Sequence, residues 1–247
     1  MIPVSAQRTP ATAPSFKIEY EKFTLPNGLD VIFHIDRSDP VVAVNLTAGK
    51  GGLDKMTARI GGSGANGSTS RDRTNYLQTV PKDALEKMLW AEADKLGWFI
   101  NTVTDPVLAK EKQVVKNEKR QGVDNQPYGH TPYVIDKHLY PADHPYNWQV
   151  IGSLEDLQNA TLEDVKEFFR RWYVPNNVTL VVAGDFEPAQ ARKWVEKYFG
   201  EIKRGEEAPA LPKRSGAVKE IVKLYHEDNF ANLPELTYAW PSVEQYH

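Results

Sequence analysis

The pattern of apolar and polar positions changes several times along the chain, and each change predicts a different kind of element. Alternating and short apolar runs predict a hairpin from Tyr20 to Asp36 and apolar strands at Val41 to Leu46 and Val178 to Ala183. Longer stretches with helical periodicity predict helices that begin at Pro81, Asp105, Thr161 and Pro188. The pattern therefore predicts a sheet with amphipathic helices between its strands.

One predicted helix, from Val107 to Arg120, carries two acids on its apolar side. At about 100° per residue, one arc contains Val107, Leu108, Glu111, Val114, Val115 and Glu118. The far side contains Lys112, Lys116, Lys119 and Arg120. Ionised carboxylates are costly to bury unless a cation, a metal or hydrogen bonds compensate them. Two hypotheses follow: either both acids reach water at the edge of the arc, or Glu118 is a metal ligand and Glu111 its supporting acid.

A second stretch is small, polar and rich in glycine. Asn66, Gly67, Ser68 and Thr69 lie in a predicted strand that a turn at 71–73 joins to another strand. Small polar side chains leave the backbone of a strand available, as an edge strand that binds a peptide requires. A plain polar hairpin explains the same residues, so both interpretations stay open on this stretch alone.

Composition excludes several kinds of site and partner. The 247 residues can bury a sizeable core, and a net charge of −3 gives no reason to expect nucleic acid or an anionic membrane as partner. No apolar run is long enough to span a bilayer. Cysteine is absent, so a metal would need His, Asp or Glu. The spacings of His130, His138 and His144 do not match paired ligands on one helix face.

Residues 1–18 are predicted to form a disordered leader. Small residues between Pro3 and Gln7 are typical of a signal-peptidase site, but a basic start and an apolar stretch do not precede them. A remnant of a signal peptide and a simple polar leader therefore both remain possible interpretations. The first predicts a periplasmic or secreted protein by ancestry, and a leader as short as the one shown predicts a cytoplasmic protein.

A linker rich in proline, lysine and glutamate is predicted at 205–217. It separates a domain at 19–204 from residues 218–247, where Glu220 to His226 and Leu236 to Trp240 are predicted to be strands. Because the chain stops just after the second of these, we expect residues 218–247 to be the start of a second, truncated domain.

Several motifs occur together in a fixed order. They are Leu25-Pro26-Asn27-Gly28-Leu29, Asn66-Gly67-Ser68-Thr69, Asp72-Arg73-Thr74-Asn75-Tyr76, Glu111, Glu118, Tyr173-Val174-Pro175-Asn176-Asn177 and Val182-Ala183-Gly184-Asp185-Phe186. In this order they resemble the insulinase/pitrilysin (M16) family of zinc metallopeptidases, from about Tyr20 to the last residue. The resemblance implies an α+β fold, in which a mixed sheet carries packed helices, like one N-terminal domain of such a peptidase.

The resemblance also implies roles for the residues already singled out. In this family a His-x-x-Glu-His helix follows the strand that matches Val41 to Leu46. Its histidines bind zinc and its glutamate is the general base for the bound water. Glu118 then matches the third zinc ligand and Glu111 the supporting acid. The resemblance makes Asn66 to Thr69 the edge strand along which a substrate peptide pairs.

The sequence departs from the family at the zinc motif. Neither His-x-x-Glu-His nor His-Glu-x-x-His occurs in the 247 residues, and Thr47-Ala48 leads directly into Gly49-Lys50-Gly51-Gly52. A catalytic zinc needs about three protein ligands and an open position for water, and activating that water needs a general base. We therefore expect no intact catalytic group, weak or no zinc binding and no peptidase activity.

Loss of a helix has a further consequence. The sheet face that it covered would be exposed, which predicts reduced stability or a partner that covers the face. One interpretation is a non-catalytic subunit that pairs with an active homologous peptidase. The other is a gene remnant or an artificial deletion without a function of its own. The second half of the family's proteins is expected to be missing after His247.

Overall fold

The structure, a computed structural model, describes residues 17–45, 53–209 and 218–242. The predicted leader up to residue 16, the glycine-rich residues 46–52 and part of the predicted linker lie outside these ranges. None of the helices inside them has the length and apolar character that crossing a bilayer requires.

Six strands form one mixed sheet. They are β1 (Glu21–Thr24), β2 (Asp30–Ile35), β3 (Val41–Asn45), β4 (Ser63–Thr69), β5 (Thr74–Pro81) and β6 (Thr179–Gly184). Their order across the sheet is β1-β2-β6-β3-β5-β4. The pair of β2 and β6 is parallel, and the other four pairs are antiparallel. The predicted hairpin at Tyr20 to Asp36 is confirmed as β1 and β2, and Gly28 has a φ of 91° in its turn.

Seven α-helices accompany the sheet in the described ranges. They are α1 (Leu53–Arg59), α2 (Leu85–Trp98), α3 (Asp105–Lys119), α4 (Thr131–Leu139), α5 (Leu154–Asn159), α6 (Leu162–Trp172) and α7 (Pro188–Phe199). A π-helical turn, Arg120–Asp124, continues α3. A mixed sheet with packed helices confirms the predicted α+β fold.

The core lies on one face of the sheet, against α2 and α7. Alternate residues of the central strands point to it and are fully buried, including Phe33, Val44 and Val182. The helices contribute Met88, Leu89, Val195 and Phe199, also fully buried. The side chain of Asn27, in the β1–β2 turn, donates to the carbonyls of Phe199 and Ile202, both at 2.8 Å. The first hairpin is therefore fastened to the end of α7.

The opposite face of the sheet is more open. Val41 and Leu77 lie on this face with exposed fractions of 40% and 45%, and Val181 and Ala183 of the central strand β6 are only half-buried. Exposed apolar residues on a sheet face are typical of a surface that binds a partner or favours aggregation. This exposure agrees with the expectation that part of the sheet is left uncovered.

The prediction of strands at Glu220 to His226 and Leu236 to Trp240 is wrong. Residues 218–242 have no regular secondary structure, and the apolar side chains of Ile221 and Tyr225 are about nine-tenths exposed, at 90% and 91%. A strand needs a neighbour to pair its backbone groups. In the described part of the chain this stretch has no such neighbour, so alternation alone did not produce a strand.

Candidate functional site

The strand β4 forms an edge of the sheet. It pairs with β5 on one side, and no described strand pairs with its other side. Asn66, Ser68 and Thr69 have exposed side chains, and Gly67 is half-buried. An edge strand with small side chains can accept an extended peptide through its free backbone groups. The structure therefore places the four predicted peptide-binding residues together, on a strand that has a free edge in the described part of the chain.

One backbone donor of this strand is already bonded within β4. The side-chain oxygen Oδ1 of Asn66 accepts a hydrogen bond of 2.8 Å from the N–H of Gly67. Gly67 lies opposite Tyr76 of β5 in the antiparallel pair. A peptide that pairs with Gly67 would displace the Asn66 side chain from this donor, so Asn66 competes with any such peptide.

The turn between β4 and β5 is anchored to the helical part of the domain. Arg71 forms an ion pair with the buried Asp136 of α4, and its guanidinium lies 4.9 Å from the ring centroid of Tyr146. The hydroxyl of Tyr146 donates to the carboxylate of Asp72. Burial, together with this acceptor, raises the pKa of Tyr146 to about 12. These contacts fix the tip of the hairpin that presents the edge strand.

Replacing Arg71 by methionine is expected to lower the free energy of unfolding by about 2 kcal/mol, because Asp136 would remain buried without its cation. Arg73→Met is the matched control, since Arg73 is exposed on the same turn and forms no ion pair in the described ranges. It should change stability by less than about 0.5 kcal/mol. Urea unfolding at pH 7 measures both, and equal losses would contradict the anchoring role.

The two acids of α3 do not face the core. The prediction that Glu111 and Glu118 lie on the buried side of the helix is wrong, because both side chains are exposed. Neither forms an ion pair within the residues that the structure describes. Val107 and Val114, predicted on the same apolar arc, are 43% and 40% exposed. The hypothesis in which both acids reach water therefore describes the structure.

The lysine side of α3 is the side that packs. Lys116 and Lys119 are buried, and Lys112 donates to the carbonyl of Gln158, in α5, at 3.0 Å. Lys116 donates to the side chain of Gln158, and Lys119 forms an ion pair of 3.3 Å with Asp124. Long lysine stems can cover apolar surface while their amines reach polar partners. Hydropathy periodicity cannot detect this, because it counts lysine only as polar.

The residues present do not fit a catalytic zinc ion. The family's two histidines and general base are missing from the sequence, and Glu118 and Glu111 are exposed on one helix. The described residues contain no group of three His, Asp or Glu side chains that could bind a metal ion together. A single carboxylate leaves a catalytic zinc short of two protein ligands. Whether Glu118 descends from a zinc ligand stays a prediction.

The histidines have other partners. Nδ1 of His34 lies 2.7 Å from the carbonyl oxygen of Glu19, and Nδ1 of the buried His144 accepts from the N–H of Tyr146 at 3.0 Å. His130 contacts His226 with ring centroids 5.7 Å apart. His138 contacts the carbonyl oxygen of Val134. These contacts support the interpretation of His130, His138 and His144 as exposed or structurally bonded side chains.

A buried ion pair in α2 was not predicted from the sequence. Glu92 and Lys95 of α2 are both buried, with Nζ of Lys95 2.6 Å from Oε2 of Glu92. The signal was available, because opposite charges three residues apart interrupt the apolar stripe of this helix.

Comparison with known proteins places these features in a family. A family model described as the peptidase M16 inactive domain matches residues 159–247. Zinc protease PqqE of Helicobacter pylori is 31% identical over 252 residues, which cover 87% of this chain and 55% of that protein. Uncharacterized zinc protease YmxG of Bacillus subtilis is 28% identical over 155 residues, which cover 63% of this chain and 36% of that protein. The chain thus spans about half the length of the H. pylori relative and a smaller share of the B. subtilis relative.

The alignment with the H. pylori relative also shows a gap. It extends over 252 positions while it covers only 87% of this 247-residue chain. It is therefore longer than the stretch of this chain that it includes, so the relative has residues with no counterpart here.

Solved structures have the same fold. A protease from Helicobacter pylori matches with a TM-score of 0.72 and 27% identity, over 82% of this chain and 55% of that one. Pitrilysin matches with a TM-score of 0.68 and 18% identity, over 84% of this chain and 25% of that one. At 18% identity the second match shows the fold alone. With the sheet order, the motifs and the relatives named as zinc proteases, these matches identify the chain as a domain of the M16 peptidase family.

Proposed function

We propose that this M16 domain binds extended peptides along β4 and does not itself hydrolyse peptide bonds. The observation that carries the proposal is that the residues expected to bind zinc do not form a site. Glu118 and Glu111 are exposed on α3, and the His-x-x-Glu-His helix that would complete a zinc site is missing. The edge strand, in contrast, keeps its small residues and an anchored turn. Peptide binding can therefore persist where zinc chemistry has been lost.

The proposal retains the domain division expected from the sequence. Residues 19–204 form the N-terminal-type peptidase domain, 205–217 the linker, and 218–247 begin a C-terminal-type domain. The proposal also includes a periplasmic or secreted location, supported by the similarity to a periplasmic protease PqqL from Escherichia coli, which is 18% identical. Fusion of the leader to a reporter enzyme that is active only outside the cytoplasm would test this location.

Zinc analysis tests the proposal directly. After dialysis against trace zinc, we expect elemental analysis to find far less than one zinc per chain, with no change in Glu118→Gln. Cleavage of fluorescein-labelled casein should not exceed that of a buffer control. About one tightly bound zinc that disappears in Glu118→Gln would contradict the proposal, because it would show that other side chains complete the site.

A second candidate function is that of a non-catalytic subunit paired with an active homologous peptidase. The open sheet face favours it, since Val41 and Leu77 are exposed there and would be covered by a partner. Stable co-purification with an intact homologue from the same cell would support this function. A monomer that shows no association with that homologue in light scattering would contradict it.

A further inference from the structure

The buried pair Glu92 and Lys95 lies one turn apart on the inward side of α2. Glu92 is fully buried and the side chain of Lys95 is 5% exposed. Two charges in such surroundings cost free energy that an apolar pair would avoid. The contacts of the pair with residues outside α2 therefore indicate its role in the fold.

Lys95 contacts the sheet through an aromatic ring. Its Nζ lies 4.7 Å from the ring centroid of Tyr76, a residue of β5, in a cation–π contact. Burial, together with the neighbouring Tyr76, raises the pKa of Tyr173, which follows α6. Tyr173 in turn stacks on Phe169, with ring centroids 4.2 Å apart. The side chain of Tyr76 thus contacts α2 through Lys95 and lies near Tyr173 at the end of α6.

The same ring lies against the backbone of the edge strand. Tyr76 pairs with Gly67 of β4. A Cβ atom at Gly67 would lie 3.1 Å from Cδ1 and 3.2 Å from Cε1 of Tyr76, which is tighter than ordinary van der Waals contact. The ring therefore fills the space that a side chain at Gly67 would need. A shift of the ring would change the position of this part of β4.

We propose that Lys95, held by Glu92, is a positioning residue that sets the conformation of the peptide-binding strand β4 through the ring of Tyr76. The proposal rests on the proposed function, in which β4 pairs with an extended peptide. It goes beyond that function because it assigns control of the strand to a buried charge pair on α2.

The charges give this control a pH dependence. Glu92 faces Lys95 on α2 itself, and Lys95 faces Tyr76 from β5, which in turn lies near Tyr173. Burial raises the pKa of Glu92 to about 7, while Lys95 acts to lower it. At pH 8 the carboxylate is ionised and holds the Lys95 amine. At pH 6 it is protonated, and the charge that holds the Lys95 amine beside the Tyr76 ring is removed.

Fluorescein-labelled β-casein, an unstructured polypeptide, is the probe. Fluorescence polarisation with the full 247-residue chain at pH 6, 7 and 8 measures its binding. We expect the affinity to fall at least threefold from pH 8 to pH 6. Glu92→Gln should show the weaker affinity at all three values. Asp94→Asn, an exposed acid on the same helix, is the matched control and should behave as the wild type.

A second variant covers the case in which Glu92→Gln fails to fold, as judged by circular dichroism. Gly67→Ala pushes on the Tyr76 ring from the strand side without touching the buried charges, and it should weaken binding at least threefold at pH 8. Equal pH profiles for Glu92→Gln, Asp94→Asn and the wild type would overturn the positioning role while leaving peptide binding intact. An absence of saturable binding at every pH would overturn the proposed function and this inference together.

Discussion

Replacement of Lys95 by methionine is expected to lower the free energy of unfolding by about 3 kcal/mol at pH 8. The variant removes the cation that lies 2.6 Å from Glu92 and leaves a carboxylate that is fully buried. Removing one partner of a buried ion pair costs about 3–5 kcal/mol, because the remaining charge has no compensation. Guanidinium unfolding followed by circular dichroism measures the loss.

The loss of unfolding free energy in Lys95→Met should be larger at pH 8 than at pH 5. Burial raises the pKa of Glu92 from 4.5 to about 7. Between these values the folded protein keeps a proton that the unfolded chain has released, so the free energy of unfolding falls as the pH rises. The stabilisation is fully present below pH 4.5 and is lost above pH 7. At pH 5 Glu92 is neutral, and Lys95→Met should then cost less than about 1 kcal/mol.

A double variant separates the charge from the packing. Glu92→Leu with Lys95→Met replaces the pair by apolar side chains and should be as stable as the wild type or more stable by about 1–4 kcal/mol. Asp94→Asn, exposed on the same helix, should remain within about 0.5 kcal/mol of the wild type at both pH values. A cost of Lys95→Met that is equal at pH 5 and pH 8 would show that packing, not charge, dominates.

The parts of the fold that were predictable are those in which local pattern and burial agree. The helical periodicity after Pro81 predicted a helix, and Leu85, Met88 and Leu89 of α2 are buried. The apolar strands β3 and β6 were predicted from short runs and lie side by side in the centre of the sheet. Here each apolar residue has one compatible environment, so periodicity is sufficient.

The orientation of α3 could not be predicted, because it depends on partners far away in the sequence. Lys112 and Lys116 are directed inward by acceptors on Gln158, more than forty residues later in the chain. A helical wheel contains no information about these acceptors. The same limit applies to the segment at 218–242. Alternation predicted strands there, but the described part of the chain contains no strand that pairs with them.

The position of β4 at the sheet edge, in contrast, could be predicted from its own residues. Small residues from Asn66 to Thr69 suggested an available backbone, and the structure places them at the edge of the sheet. What the sequence could not show is the anchoring of the strand, since Arg71 meets Asp136 and Gly67 meets Tyr76 only after folding. The availability of the β4 backbone depends on its own small residues, whereas the position of the strand depends on contacts made in the tertiary structure.

Insertion of a His-x-x-Glu-His helix is expected to convert the chain into a zinc-binding protein. A segment that carries this motif would replace residues 46–52, between β3 and α1. If Glu118 descends from the third ligand, two histidines and Glu118 provide the three protein ligands that a catalytic zinc needs. Elemental analysis after dialysis against trace zinc should find about one zinc per inserted chain and far less in the parent.

Three substitutions in the inserted chain distinguish a site from incidental binding. Glu118→Gln should abolish stoichiometric zinc, and Glu111→Gln should weaken binding by about 10–100-fold, the effect typical of a residue that supports a ligand. Glu167→Gln, exposed on α6, should have no effect. Zinc that persists in Glu118→Gln would show that the two histidines act without α3, and the exposed acids of this helix would then be ordinary surface residues. Loss of zinc with Glu118 alone would instead mean that the domain has kept one half of its metal site while losing the helix that carried the other.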